Sequence, residues 1–313
     1  MRANSPARVH GQPQLGDGDL DDVETIVAER RWHYGRGIAA LAILVFIAWI
    51  VYQILTNDRF GWDVVGEYIV SPPILQGVLM TLFLTAVVMS TACVLGVVLA
   101  TMRLSSNPIL AGCAAVYVWF FRGVPALVQL VFWFNFAYLF PELEFGIPFG
   151  GPKLFGVPTN DVMVPLLAAF LGFTLIETAM MAEIIRGGIL GVDIGQTEAS
   201  RALGMRRSRL MLRVILPQAM RSIVPASGNN FISMLKWSSL ATVVSVGELM
   251  HAAMSIYNRT FQVIPLLITA SLWYLVLTTV LSIGQHYIEQ YYGRGTTRSA
   301  PQKRWFPLGG RRR

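Results

Sequence analysis

Long uncharged apolar runs alternate with short charged clusters along the chain, and the run lengths predict the elements. Gly37 to Leu55 carries no charge. Glu67 and Arg103 bound a second uncharged stretch, in which Pro72 and Pro73 form a lip and a helix follows from about Ile74 to Met102. From Leu104 to Pro141 the only charge is Arg122; this reads as a short interfacial helix, then a span over Val124–Phe140. Val162–Ile185 is a span carrying Glu177 and Glu183. Arg221 to about Met250 reads as a span broken at Pro225 and at Gly228-Asn229-Asn230, with Lys236 inside it. Thr260–Ile288 is uncharged and holds the last span. A hydrocarbon core takes about 20 apolar residues per helix, and a helix satisfies its own backbone there. The pattern predicts an all-α membrane protein of about six transmembrane helices.

Composition narrows the function classes. Hydrophobic residues make up 54% and charged residues 14% of the 313, about half the charge of a soluble domain, and mean hydropathy is +0.53. Disordered chains, collagen-like rods and disulfide scaffolds are excluded, and a soluble enzyme is disfavoured. The net charge of +7 reads as membrane topology, because no aromatic residues interleave with the basic clusters as nucleic-acid binding would need. With the N-terminus inside, segments 1–36, 103–122, 186–221 and 289–313 hold nearly all the Lys and Arg. The outside keeps only Arg59, Lys153 and Arg259, and Lys236 lies within a span. Both termini are therefore expected to be cytoplasmic. The outside carries acids instead: Asp58, Asp63, Glu67, Glu142, Glu144 and Asp161.

Residues 1–36 are polar and acid-bearing, unlike a secretory leader, and read as a cytoplasmic tail. Residues 291–313 form a basic tail suited to anionic headgroups. Cys93 and Cys113 sit in apolar runs and read as packed thiols. His10, His33, His251 and His286 are scattered, so no metal site is expected. There is no G-x-S-x-G, no H-E-x-x-H and no phosphate-binding G-x-x-x-x-G-K-[ST]. The chain is expected to be no enzyme, to have no catalytic residues and to bind no cofactor.

The loop from Arg186 to Arg221 has internal order. Asp193 precedes Gln196 at capping-box spacing. A helix can run from about Ile194 to Leu203, with Gly204 where a left-handed C-cap would sit. A second helix begins near Ser208 and runs into Leu216-Pro217. The first is too short to be stable alone. Two readings stay open: it docks on a protein partner, or it lies on the headgroups through its arginines.

Glu198-Ala199-Ser200, Gly204 four residues later, then Val214, Leu216 and Pro217 resemble the EAA loop of permeases from binding-protein-dependent ABC importers. That pattern is E-A-A, three residues, G, nine residues, I-x-L-P, and the chain departs from it at Ser200 and Val214. Arg122-Gly123-Val124-Pro125 with Leu127-Val128-Gln129 resembles R-G-T-P-L-L-V-Q of the polar amino acid permeases. Ala182-Glu183-Ile184-Ile185-Arg186-Gly187-Gly188-Ile189 resembles A-E-I-x-R-G-G-I of the same subfamily. Leu216-Pro217-Gln218-Ala219 and Leu235-Lys236-Trp237-Ser238-Ser239-Leu240 resemble L-P-Q-A and L-K-D-T-S-L; Trp237 stands where the family has Asp.

The resemblance implies a five-helix permease domain over 74–290, with its coupling loop at about 193–217 and the 37–56 helix as an N-terminal addition. It also implies a multi-pass protein of the bacterial inner membrane. The implied partners are an ABC ATPase subunit that uses the ATP, an extracytoplasmic amino-acid-binding protein and a second permease, identical or paralogous. Transport would proceed by alternating access. The coupling residues would be Glu198, Ala199, Ser200 and Gly204, with Arg122, Pro125, Glu183, Arg186 and Pro217 structural. An autonomous ion-coupled transporter or channel is the competing reading, and a membrane enzyme ranks last.

Ionisable residues in spans are costly and mark sites. Lys236, with Ser238, Ser239 and Asn229, either lines the path and meets a substrate carboxylate or snorkels to the headgroups. Glu177 either attracts a substrate ammonium group or bonds to a neighbouring helix. Glu183 and Arg186 are spaced to pair on one helix face.

Overall fold

The computed structural model describes residues 34–146 and 153–293. Residues 1–33 and 294–313, most of the expected tails 1–36 and 291–313, and residues 147–152 lie outside them; residues 34–36 and 291–292 belong to helices. The chain divides into two units at Asn57. The first contains α1 (Tyr34–Thr56), whose apolar window from Gly37 has no buried residue. A helix that is apolar all round and uncovered needs lipid as its solvent.

In the second unit, a 3-10 turn (Asp58–Phe60) and α2 (Trp62–Tyr68) lead to α3 (Pro72–Arg103). The helix α3 begins on its two prolines rather than at Ile74, since a first-turn residue needs no N–H. It is followed by α4 (Pro108–Gly123), α5 (Ala126–Phe134) and α6 (Phe136–Leu139). The expected straight span over Val124–Phe140 is not formed. The nine residues of α5 rise about 14 Å, under half a bilayer core, and α5 turns 97° from α4. Pro125 keeps Val124 extended. The Gln129 side-chain amide then donates to the carbonyls of Phe121 (3.1 Å) and Val124 (2.9 Å) and closes the corner.

Strands β1 (Glu142–Gly146) and β2 (Lys153–Pro158) pair antiparallel, with Glu142 opposite Pro158 and Phe145 opposite Phe155. The sequence pattern predicted no strand between the spans ending at Phe140 and beginning at Val162. The chain continues through α7 (Thr159–Val162), α8 (Pro165–Leu190), α9 (Ile194–Ala202) and α10 (Arg207–Leu210). A π-helical turn (Met211–Ile215) then enters α11 (Leu216–Trp237). After a 3-10 turn (Ser238–Val244) come α12 (Leu249–Thr260) and α13 (Val263–Tyr292).

The expected break in α11 is also absent: the helix runs through Pro225 and Gly228 to Trp237. Packing overrides propensity here. Gln285 of α13 donates to the Pro225 carbonyl at 3.2 Å, and its side chain lies 2.9 Å from where a Gly228 Cβ would stand. The break falls later, where Ser245 adopts φ 61 and the chain bends 45° into α12.

Among the described residues, four helices are long and apolar enough to cross a membrane, and six spans result if each bent pair counts as one. The most extensive packing is α3 against α8. Gly96 permits it, because a Cβ there would stand 2.7 Å from the Met181 Cβ; small residues let membrane helices approach closely. Leu84, Val88, Leu130, Phe173 and Met234 form one core where α3, α5, α8 and α11 meet. Ile74, Val78, Leu249 and Leu266 form another among α3, α12 and α13.

Candidate coupling helix and intramembrane polar groups

The short helix α9 sits between the end of α8 and the start of α11. Its cap differs from the expected box. The Asp193 carboxylate accepts from Gly195 N at 2.7 Å, and the Gln196 side chain accepts from Gln218 at 3.5 Å. The C-terminus is closed by Gly204 at φ +74, whose N–H donates to the Arg201 carbonyl at 2.9 Å. Met205 N donates to the Ser200 carbonyl at 3.1 Å, completing a glycine-type cap.

Within its own unit α9 packs on α10 and the π turn that follow it. Ser200 is turned inward with its hydroxyl on the Gln196 carbonyl. Glu198, Ala199 and Gly204 are exposed, as are the apolar Ile194 (73%) and Leu203 (83%). A nine-residue helix with one large apolar side chain exposed at its start and another at its C-cap has the composition of a docking surface.

At the base of α8, Arg186 donates to Glu183 through two nitrogens, at 3.0 and 2.8 Å. Arg103, at the end of α3, lies 3.6 Å from the same carboxylate. The trio ties α3 to the helix that leads into α9. Arg122 and Pro125 are exposed at the α4–α5 corner, and Pro217 is exposed in the first turn of α11.

Glu177, midway along α8, is 1% exposed. Asn230 of α11 donates to it across the helix seam. Of the two sequence readings, this geometry is the bond to a neighbouring helix. Beside it, the hydroxyls of Thr174 on α8 and Ser227 on α11 are buried without a hydrogen-bond partner among the described residues. Asn229 and Lys236 are exposed and share one face of α11, opposite Met220 and Val224 by helical angle. Ser239 is half-buried, its hydroxyl on the Lys236 carbonyl at 2.8 Å. Ser238 departs from expectation: it is fully buried and donates to Leu235 O at 2.7 Å, so it does not join the surface of Lys236. Cys93 is half-buried as expected, but Cys113 is exposed rather than packed.

Sequence reasoning missed Glu248. It is fully buried and caps α12, accepting from Met250 N (2.9 Å), His251 N (2.8 Å) and the Tyr274 hydroxyl (2.8 Å). Thr81 of α3 accepts from Leu249 N at 3.1 Å beside it. The available signal was an acid just before a helical apolar pattern, an N-cap position.

Together, a bundle of apolar helices, a short exposed helix between two of its long members and polar groups held in the interior define a membrane permease subunit. The chain belongs to the family of binding-protein-dependent transport system inner membrane components, whose pattern matches residues 92–293. It is 42% identical over 268 residues to an arginine transport system permease protein of Corynebacterium glutamicum, covering 85% of this chain and 83% of that one. It is 35% identical over 234 residues to an L-cystine transport system permease protein of Bacillus subtilis, covering 74% and 92%. The fold matches a chain of an amino acid ABC transporter crystallised with histidines at TM-score 0.61 and 33% identity, covering 70% and 94%. The protein is therefore a multi-pass permease subunit of an ABC importer, a family that works with a separate ATPase and a binding protein. This membership sets aside the autonomous transporter.

Proposed function

We propose that the chain forms the translocation path for a polar amino acid in the inner membrane of a bacterium, with both termini cytoplasmic. The observation that carries the coupling part is α9, which is exposed and, among the described residues, packs on α10 and the π turn that follow it, with Gln196 bonded to Gln218 of α11. Glu198, Ala199, Ser200 and Gly204 form its docking region for the ATPase subunit, which uses the ATP; this chain binds no cofactor and catalyses nothing. Residues 74–290 are the transport domain, 37–56 is an added membrane helix, and 1–36 and 291–313 are cytoplasmic tails. A second permease, identical or paralogous, completes the path, and an extracytoplasmic amino-acid-binding protein delivers substrate. The amino acid class rests on the relatives, which include permeases named for arginine and cystine.

Along the path, the exposed Lys236 and Asn229, with the half-buried Ser239 beside them, form the polar stripe that meets the substrate, with Lys236 for its carboxylate. Glu177 is reached only when α8 and α11 part. Alternating access follows if ATP-driven motion of α9 separates those two helices, since a drive must distinguish the two states.

The test is a tagged pull-down from native membranes in mild detergent, followed by ATP hydrolysis in proteoliposomes with a panel of amino acids and the binding protein. Co-purification of an ATPase stimulated by one loaded binding protein is expected. Recovery of the chain alone, under cross-linking as well, would overturn the reading.

A further inference from the structure

At the base of the bundle one carboxylate feels three guanidinium groups. Glu183 stands two turns before the end of α8, about 10 Å from it, and α8 runs through a short turn into α9. Arg186 holds both oxygens of Glu183 at once, with Nε on Oε1 at 3.0 Å and Nη2 on Oε2 at 2.8 Å. Such a two-point grip is the strong form of this pair. Arg103, the last residue of α3, faces the same Oε1 with its Nε at 3.6 Å. That is close enough for attraction and too far for a good hydrogen bond. Arg122, at the α4–α5 corner, also acts on Glu183 through its charge and makes no ion pair among the described residues.

Arg103 is the unsettled member. Its Nε is buried and has no hydrogen-bond partner among the described residues. A buried donor left in this way costs free energy. The cost disappears if the gap closes by about 0.7 Å, to the length of a charge-assisted bond. The oxygen nearest it already accepts from Arg186, so the two arginines compete. The competitors stand on different helices. Arg186 shares α8 with Glu183 and moves with it. Arg103 belongs to α3, which is held toward its other end by the Thr81 hydroxyl on Leu249 N and by the core shared with α12 and α13. A displacement of the base of α8 therefore changes the Arg103–Glu183 distance and leaves the Arg186 pair alone. The extensive α3–α8 packing keeps such a shift small, and packed interfaces turn small shifts into a choice between discrete arrangements.

We infer that Arg103 is a positioning residue of the transport cycle, acting through Glu183: in the ATP-bound state it takes the carboxylate over from Arg186 and holds the base of α8 in the second of two places. This role presupposes that α9 receives the motor's motion, and it supplies the contact that makes the motion two-valued. Coupling between sites is reciprocal, so whatever favours the second state of the permease favours the ATP-bound state of the ATPase. Removing one arginine or the other then acts in opposite directions. An ion cluster that only stiffens the fold weakens in the same direction whichever arginine is lost.

The experiment is ATP hydrolysis by the complete permease–ATPase complex in proteoliposomes, without binding protein or amino acid, with rates taken per assembled complex. Arg186→Gln frees Glu183 for Arg103 and should raise this unstimulated rate about fivefold, the weight of one partly exposed charged pair. Arg103→Gln should lower it by a similar factor, and Arg103→Lys, which keeps the charge, should stay within about twofold of the unaltered complex. Arg103→Gln/Glu183→Gln should match Glu183→Gln alone, since Arg103 has no route except that carboxylate. Rates that move together in Arg103→Gln and Arg186→Gln, or an Arg103 effect that persists without Glu183, would overturn the inference. If Gly204→Trp still uncouples uptake in that case, the ion cluster is a plain brace and α9 keeps its role. If Gly204→Trp transports normally, the role of α9 falls and that of Arg103 falls with it.

Discussion

Two seams of the bundle each bury a glutamate, and they treat it differently. Where α3, α12 and α13 meet, Glu248 has three donors, and Thr81 accepts from the adjacent backbone N–H. Where α8 meets α11, Glu177 has the Asn230 side chain, and the neighbouring hydroxyls of Thr174 and Ser227 are unspent. A saturated polar cluster fixes one packing; an undersaturated one keeps capacity for another arrangement. The α8–α11 seam also flanks α9, the segment proposed to receive the motor's motion. In the proposed mechanism the first seam is the anchor and the second is where the helices part.

The sharpest attack on this contrast is Glu248→Ala. It strips a fully buried capping carboxylate and orphans two backbone N–H groups and a tyrosine hydroxyl, at a cost of about 3 kcal/mol or more. Membrane-inserted protein should drop severalfold and its melting temperature in detergent should fall. Unchanged melting would erase the distinction between the seams.

Next is Gly204→Trp, which forces a bulky residue into φ +74 at a local cost of about 1–2 kcal/mol. The protein should reach the membrane, but uptake should fall to the vesicle background while the assembled ATPase still hydrolyses. Normal uptake would show that α9 does not couple.

Glu177→Gln keeps size and one hydrogen bond. Melting should move little, while uptake falls about tenfold or more, the weight of one charged contact. A large loss of stability with unchanged transport of the surviving protein would make the α8–α11 seam a second anchor.

Smallest is Tyr117→Phe, which deletes the 3.0 Å bond from its hydroxyl to the Leu175 carbonyl. A loss of about 1 kcal/mol with normal uptake is expected, because that bond ties α4 to α8 and leaves α11 alone.

Uninterrupted apolar runs made α1, α3 and α13 legible in the sequence, since lipid demands them whatever the neighbours do, and α8 stood out despite its two glutamates. The α4–α5 corner was visible as a break at Arg122-Gly123-Val124-Pro125, but its angle depends on Gln129 reaching back over the turn. Pro225 and Gly228 suggested a broken α11 because their cost is local, while the compensating contacts come from Gln285, far along the chain. The true break needs no proline; it rests on Ser245 in a left-handed conformation, which composition does not announce. The paired strands β1 and β2 hid between two predicted spans, in a stretch marked only by its acids. Among the candidate site residues, the spacing from Glu198 to Pro217 stood out because a short helix and its cap are sequence-local. The partner of Glu177 lies 53 positions away, and Glu248 was passed over near the end of a span in which only Lys236 was singled out as charged.

The π turn at Met211–Ile215 has a consequence for chain length. A residue added to a helix rotates everything beyond it by about 100°. The turn absorbs such an extra residue between α9 and α11 and so sets their relative phase. Deleting one residue from it would leave both helices intact yet aim the exposed side of α9 a quarter-turn off. Substitutions here should be far better tolerated than changes in length, so that insertions and deletions, not point changes, trace the boundary of what the motor can grip.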